Sequence, residues 1–184
     1  MDLFHWLAPL YDRIFQFSDP TRLLTLLAPA PEHRLLDVGG GTGRVTHTLV
    51  DHVCQACVID ASVGMLLQAR TKGLCAYQGA AERLPFPDGA FDRILVVDAF
   101  HHFRDWSQAT HELIRVLQPD GRLVIEEPDI RNRTVKLIAL AERLLLMRSR
   151  FYAPADLARL FQATGATVTL YDEGQGLYWA VIER

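Results

Sequence analysis

The 184-residue sequence lacks a strong excess of either charge. Its formal net charge is only −3, which disfavours a nucleic-acid substrate held on a basic surface. The N-terminal residues also lack the basic start and the unbroken apolar stretch of a signal peptide, because Asp2, His5 and Pro9 interrupt them. These absences predict a cytoplasmic protein whose substrate is not a nucleic acid.

Cysteine is scarce as well, with three in the chain. Cys54 and Cys57 have the C-x-x-C spacing found in zinc sites, but no second pair and no histidine cluster lies nearby to complete four ligands. We therefore expect no metal site. We interpret Cys54, Cys57 and Cys75 as core thiols of a protein from a reducing compartment.

The apolar residues are frequent enough, at 49% of the chain, for one packed domain. Short apolar runs alternate with helical patterns, which predicts a parallel sheet covered by helices on both faces. The predicted strands are residues 34–38, 56–60, 75–78, 92–97 and 122–126, and the clearest helix is 106–117. Two further runs, separated at Gly174 and Gly176, predict a C-terminal hairpin.

The stretch LLDVGGGTGR, residues 35–44, carries the strongest functional signal. An apolar strand leads into Asp37 and then into glycines at alternate positions, which open the turn to a ligand. Residues 45–52 repeat apolar positions at helical spacing, so we expect a helix whose N-terminus and loop N–H groups face that ligand. A tight strand-to-helix connection with no ligand is the alternative interpretation.

Two acidic residues and one arginine indicate which class of ligand the loop binds. The dinucleotide pattern G-x-G-x-x-G needs glycine where this chain has Arg44, which disfavours NAD. Asp37 would repel a pyrophosphate but would neutralise an ammonium group, which favours a nucleoside that carries an amino acid. Asp60 ends the second predicted strand and can accept both ribose hydroxyls, although Asp60 or Ser62 can also cap the next helix.

Two longer segments, GAAERLPFPDGAFDRILVVDAFHHF and ELIRVLQPDGRLVIEEP, follow in order. With the glycine loop and Asp60, they make the chain resemble class I S-adenosylmethionine-dependent methyltransferases. Within that family the chain is similar to the small-molecule branch (type 11) that includes ubiquinone and menaquinone C-methyltransferases. The resemblance implies an α/β fold: a Rossmann-like, seven-stranded, mostly parallel sheet with helices on both faces and a C-terminal antiparallel hairpin.

The resemblance also implies how the chain is divided and what it binds. A single domain over 1–184 would comprise a helical lid (1–30), a cofactor-binding core (31–128), an acceptor-side helical insertion (129–152), and a last helix with the hairpin (153–184). The cofactor would be S-adenosyl-L-methionine, with S-adenosyl-L-homocysteine as its product. The residues expected to hold it are Tyr11, Asp37, Gly39, Gly40, Gly41, Gly43, Asp60, Ala61, Met65, Ala81, Glu82 and Asp98.

The chain departs from the family pattern at Ala80, where an acidic residue often accepts a hydrogen bond from the adenine amino group. Adenine recognition would then rest on the Ala81 backbone, on Glu82 or on water. Losing that bond should weaken the site by about tenfold at most.

Three residues follow the fourth predicted strand and are candidates for roles in the reaction. His101 and His102 are candidate general bases, which are needed only if the acceptor arrives protonated. They can instead shape the loop by bonding to the backbone. Asp98 contacts either the cofactor or the acceptor, or it is a buried strand-end carboxylate.

Two segments are candidates for enclosing a small-molecule acceptor. The aromatic-rich N-terminal segment around Tyr11 either folds over the cofactor or packs as a core helix. The segment from Arg131 to Arg150 has six basic residues and one acidic residue, a local charge of +5. It attracts an acidic acceptor, contacts a membrane surface peripherally, or is a core helix whose basic ends reach water. Its charges at Lys136, Glu142 and Arg143 exclude a membrane-spanning helix.

Two other functions stay open as alternatives. A non-catalytic regulatory or partner subunit would bind S-adenosylmethionine without turnover. An NAD-dependent oxidoreductase would bind NAD, and Arg44 disfavours it.

Overall fold

A seven-stranded sheet organises the computed structural model, which describes residues 20–132, 135–136, 151–172 and 176–184. The strands are β1 (Arg34–Val38), β2 (Gln55–Asp60), β3 (Cys75–Gln78), β4 (Phe91–Val97), β5 (Leu117–Pro128), β6 (Thr167–Asp172) and β7 (Leu177–Glu183). The α-helices within the described residues are α1 (Thr21–Leu27), α2 (Val63–Thr71), α3 (Trp106–Val116) and α4 (Pro154–Gln162).

The strand order, β3-β2-β1-β4-β5-β7-β6, places the reversal of the winding between β1 and β4. The first five strands, β1 to β5, are parallel to one another, whereas β7 runs antiparallel to both β5 and β6. In open α/β sheets the crevice that binds ligands lies at such a reversal, at the carboxyl ends of the strands, which here is where the loops after β1 and β4 begin. The predicted seven-stranded, mostly parallel sheet with a terminal hairpin is confirmed.

Both faces of the sheet are covered, because successive strand residues point to opposite sides. Leu36 and Ile94 lie on the face that packs against Leu113 of α3 and Phe161 of α4. Leu35 lies on the other face, in a cluster with α1. The α/β layering therefore follows from alternating apolar positions in the strands and one apolar stripe on each helix.

The described part of segment 1–30 packs on the sheet rather than over the crevice. Leu23, Leu26 and Leu27 of α1 are buried in the cluster that also contains Leu35 and Trp179. This part of the expected lid is therefore a core element.

The prediction of a helix over residues 45–52 is wrong. The chain forms two short 3₁₀ turns instead, Thr46–Thr48 and Val50–His52, and then enters β2. Its β-branched residues have low helix propensity, and the short connection leaves little room for a regular helix. Val45 and Leu49 are nevertheless buried, so the apolar positions were recognised and only their conformation was misassigned.

The expectation that all three cysteines are core thiols is also wrong. Cys57 is buried in the centre of β2, but Cys54 and Cys75 are exposed. Cys54 precedes β2, and Cys75 begins the edge strand β3, which has a neighbouring strand on one side only.

The remaining strand predictions are correct to within one residue, except at β5. This strand begins at Leu117, which pairs with Phe91, so α3 ends one residue earlier than expected. Within the residues covered by the structure, no helix has the length and apolar character needed to cross a membrane.

The substitution Leu113→Ala should lower the free energy of unfolding by about 2–5 kcal/mol, because it leaves a cavity between α3 and the sheet. Leu113 is 0% exposed, whereas Leu67, also on a helix, is 51% exposed. The control Leu67→Ala should change stability by no more than about 0.5 kcal/mol. Urea unfolding followed by circular dichroism measures both, and equal effects would contradict this assignment of the core.

Candidate functional site

The glycine loop after β1 lies directly against the end of β4. Gly39 has φ +75°, and a Cβ at this position would lie 2.6 Å from Ala99 Cβ. Gly43 is equally confined, because its Cβ would collide with Leu74. At Gly41 the nearest atoms to a Cβ would be Met65 Sδ at 3.9 Å and the Asp60 carboxylate at 4.0 Å. The loop is therefore packed on two sides and more open at Gly41.

Asp60, at the end of β2, bonds to the glycine loop through its side chain. Its Oδ2 accepts the Gly41 N–H at 3.0 Å, and its Oδ1 accepts the Ser62 N–H at 2.7 Å. Each carboxylate oxygen can accept more than one hydrogen bond, so Asp60 can still receive ribose hydroxyls in this orientation. The Ser62 hydroxyl makes no capping bond to α2, so the prediction that Ser62 caps this helix is wrong.

Asp37 is buried under the same loop. It is 1% exposed, and a Cβ at Gly40 would lie 2.5 Å from its carboxylate. Its Oδ2 accepts the Thr46 hydroxyl at 2.5 Å, while its Oδ1 has no hydrogen-bond partner among the described residues. The sequence analysis did not identify Thr46, because this contact joins two loop segments and follows no periodic spacing.

Burial raises the pKa of Asp37 to about 7, since a low-dielectric interior disfavours the charged carboxylate. The Thr46 hydroxyl and the positive charge of Arg44 act in the opposite direction, and the negative charge of Asp60 adds to the rise in this pKa. A cationic donor at Oδ1 would remove much of the penalty for ionising Asp37.

The residues expected near the adenine differ in exposure, and one of them already bonds to a loop of the protein. Met65 and Ala81 are buried, and Ala61 is exposed. Glu82 Oε1 accepts the N–H groups of Arg104 at 2.6 Å and of Asp105 at 3.2 Å. Glu82 thus holds the loop that precedes α3.

Asp98 follows β4 with φ +52°, in the left-handed region that Asp adopts more readily than most residues. Its side chain is exposed, and its N–H donates to the Glu126 carbonyl at 2.9 Å. The alternative of a buried strand-end carboxylate is therefore wrong. The predicted contact with cofactor or acceptor stays a prediction.

The two candidate histidines differ in their surroundings. His101 is 2% exposed, and its Nδ1 lies 2.7 Å from Oε2 of Glu127 at the end of β5. His102 is half-buried, and burial together with the neighbouring charge of His101 lowers its pKa to about 3. The sequence analysis missed Glu127, although an acidic residue directly after the apolar predicted strand 122–126 was an available signal.

The two expected enclosing segments fall mostly outside the described residues. Tyr11 lies outside them, as does most of the segment from Arg131 to Arg150. Arg131 is described and pairs with Asp129 at 2.6 Å and with Asp172 at 3.0 Å. Across the described ranges, no group of three His, Cys, Asp or Glu residues is arranged to hold a metal ion.

Comparison with known proteins gives a consistent result. Residues 36–125 match the family described as a methyltransferase domain. The uncharacterized methyltransferase YcgJ of Bacillus subtilis (strain 168) is 38% identical over 101 residues, which cover 51% of this chain and 40% of that protein. The demethylmenaquinone methyltransferase of Thermus thermophilus is 36% identical over 141 residues, which cover 68% of this chain and 64% of the relative. The crystal structure of YcgJ has a TM-score of 0.72 at 28% identity, and the match covers 82% of this chain and 69% of that one.

The sheet order and the strand-end site define the class of Rossmann-like, S-adenosylmethionine-dependent methyltransferases. Residues 36–125 of the chain belong to the methyltransferase domain family within that class. The sequence matches span less than half the length of YcgJ and just under two thirds of the Thermus relative.

The residues present fit S-adenosylmethionine, the cofactor of this family. The buried Asp37 Oδ1, which lacks a donor among the described residues, matches the ammonium group of the methionine part. Asp60 has the carboxylate oxygens that ribose hydroxyls would donate to, and the loop beside it is open at Gly41. The donor groups of the methionine part and of the ribose thus have matching acceptors among the residues of this site.

The substitution Asp37→Asn should remove a pH-dependent loss of stability in the protein without cofactor. Because the folded-state pKa of about 7 exceeds the ordinary value of 3.8, the folded protein binds more protons between those pH values. The wild-type free energy of unfolding should thus fall as pH rises through this window, relative to the variant, by on the order of 1 kcal/mol per pH unit.

Urea unfolding at pH 5 and pH 8 measures this difference. The control Asp51→Asn changes an exposed carboxylate and should shift stability equally at both pH values. A constant difference between wild type and Asp37→Asn would contradict the prediction.

Proposed function

We propose that the protein transfers the methyl group of S-adenosylmethionine to a small-molecule acceptor in the cytoplasm. The observation that supports this most directly is the fixed carboxylate of Asp60, held by the Gly41 N–H at 3.0 Å in a crevice where the strand order reverses. A tight turn without a ligand would not need a buried carboxyl beneath it with an oxygen that no described residue bonds to, as at Asp37.

In this proposal the residues of the chain bind the cofactor and align its methyl group with the acceptor. Asp60 accepts the ribose hydroxyls, Asp37 accepts the ammonium group, and the glycine loop lets the cofactor approach the backbone. The sulfonium supplies an already activated methyl group, so alignment with the acceptor and exclusion of water are the main tasks of the protein. Ala61, Met65, Ala81 and Asp98 complete the proposed cofactor contacts.

We propose a reduced quinone-like ring as the first acceptor class to test. The support is the 36% identity to the Thermus demethylmenaquinone methyltransferase. The segments around Tyr11 and from Arg131 to Arg150 would enclose this acceptor. The net charge of +5 in the second segment is suited to peripheral contact with an anionic membrane that carries a lipid acceptor.

The substitution Asp60→Ala should weaken S-adenosylmethionine binding by roughly 100-fold or more, because two hydrogen bonds to a charged acceptor are lost. Asp60→Asn keeps one acceptor oxygen and should fall between wild type and Asp60→Ala. Isothermal titration calorimetry measures the three affinities, with Asp51→Ala as an exposed control that should bind normally. Unchanged affinity in Asp60→Ala would contradict this site.

Release of S-adenosylhomocysteine tests catalysis itself. The wild type should release it with at least one of three probes: 1,4-naphthohydroquinone, a catechol and a primary amine, which offer carbon, oxygen and nitrogen as accepting atoms. Cofactor binding without release on any probe would favour the non-catalytic subunit. Binding of NAD in place of S-adenosylmethionine would favour the oxidoreductase, which Arg44 disfavours.

A further inference from the structure

Two of the three cysteines are neighbours across the sheet, although they are far apart in the chain. Cys57 in β2 is the register partner of Cys75 in β3, and the two strands are parallel. Register partners on adjacent strands point to the same face of a sheet, so the two side chains lie next to each other. Both are free thiols.

The two thiols are in contact, because the Cys57 thiol is hydrogen-bonded to that of Cys75. Burial raises the pKa of Cys57 to about 12, and the charge of Cys75 and the hydrogen bond between the two residues add to this rise. Cys57 is therefore a protonated thiol near pH 7. Contact between two sulfur atoms is also the arrangement from which a disulfide forms.

The spacing of the strands is compatible with a disulfide. Adjacent strands lie about 4.8 Å apart, and disulfides join residues whose Cα atoms are about 4.4–6.8 Å apart. The Cβ atoms of register partners share the strand spacing, which exceeds the roughly 3.8 Å of a relaxed disulfide. Because β3 has a neighbouring strand on one side only, it can move toward β2 as the bond closes. The remaining strain makes such a bond easier to reduce than an unstrained one.

The C-x-x-C pair of the sequence does not have this geometry. The two residues between Cys54 and Cys57 belong to β2 and are extended, which places the Cα atoms of the two cysteines roughly 10 Å apart. Disulfides do not span more than about 7 Å between Cα atoms. The Cys54 thiol instead donates to the carbonyls of Glu32 and His33, each at 3.2 Å.

Cys75 is the thiol of the pair that an oxidant in solution reaches. It is exposed at the start of the edge strand, whereas Cys57 is 2% exposed. The Cys75 thiol donates to the Tyr77 hydroxyl at 3.4 Å, and this hydroxyl can turn its own proton toward an ionised Cys75. The hydrogen bond with Cys75 and the charges of both cysteines raise the pKa of Tyr77, so the phenol keeps that proton.

We propose that Cys57 and Cys75 form a redox-sensitive pair, which closes a reversible disulfide between β2 and β3 when the protein meets a peroxide. The Cys75 thiolate attacks one oxygen of hydrogen peroxide, the O–O bond breaks, and Cys75 becomes a sulfenic acid. The departing hydroxide combines with the proton that Cys75 had released. The Cys57 sulfur then attacks the Cys75 sulfur, the S–O bond breaks, and the second hydroxide leaves as water with the Cys57 proton. Two thiols and one hydrogen peroxide thus give one disulfide and two waters.

The disulfide protects Cys75 from irreversible oxidation. An exposed sulfenic acid in excess peroxide is oxidised further to a sulfinic acid, which thiols do not reduce. Because Cys57 is already in contact with Cys75, its attack on the sulfenic acid is intramolecular and precedes the second oxidation. A thiol such as glutathione then restores both cysteines.

Peptide mapping after treatment with stoichiometric hydrogen peroxide identifies the bond. Wild type and Cys54→Ser should each give a monomer with a Cys57–Cys75 cross-linked peptide, and millimolar glutathione should remove the cross-link. The matched variant Cys75→Ser, changed at an exposed position, should keep Cys57 as a thiol. The proposal would be overturned if this cross-link were absent, if Cys54 or a second molecule supplied its partner, or if glutathione left it intact.

Trapping with dimedone, which reacts with sulfenic acids, measures the protective step. Cys57→Ala and Cys57→Ser remove the capturing sulfur, so dimedone labelling of Cys75 should rise roughly tenfold or more above wild type. In excess peroxide these variants should accumulate sulfinic acid at Cys75, whereas wild type should recover its thiols with glutathione. Circular dichroism checks that the variants are folded. Equal labelling of Cys75 in wild type and in a folded Cys57 variant would contradict the capture by Cys57.

Discussion

Buried or half-buried carboxylates near the carboxyl ends of three parallel strands position the loops around the candidate site. Asp37 on β1, Asp60 on β2 and Glu127 on β5 each accept hydrogen bonds from a loop at the same edge of the sheet. Since a buried carboxylate is stable only when donors reach it, these side chains determine where the loops lie. The apolar core supplies most of the driving force for folding, but the carboxylates position the loops that form the site.

The same carboxylates determine which ligands suit the crevice. Asp37 and Asp60 are close enough for their charges to repel, and this repulsion adds to the rise in the Asp37 pKa that burial causes. A ligand with a cationic group and hydroxyl donors relieves both effects. The free protein therefore holds an unfavourable arrangement of two carboxylates, as functional sites commonly do.

The fold was largely predictable because its main signals are local. Alternating apolar residues determined the strands, and Gly39 and Gly43 marked the turn after β1, where neither has room for a side chain. The wrong predictions concern residues whose conformation or exposure depends on neighbouring strands more than on the local sequence pattern. Residues 45–52 have apolar spacing compatible with a helix, yet the short path into β2 leaves only 3₁₀ turns. Cys75 is apolar in character but begins an edge strand, so it stays exposed.

The sequence by itself determined the α/β class, the family and the candidates Asp37 and Asp60, because each depends on residues close together in the chain. Tertiary structure alone revealed that Glu127 is bonded to His101 across 26 positions and that Thr46 contacts Asp37. It also distinguished the two histidines, which are adjacent in sequence but differ in burial and in partner. Hydrogen bonds between separate loops and the desolvation of a side chain depend on how the strands are ordered in space, and no pattern along the chain records that order.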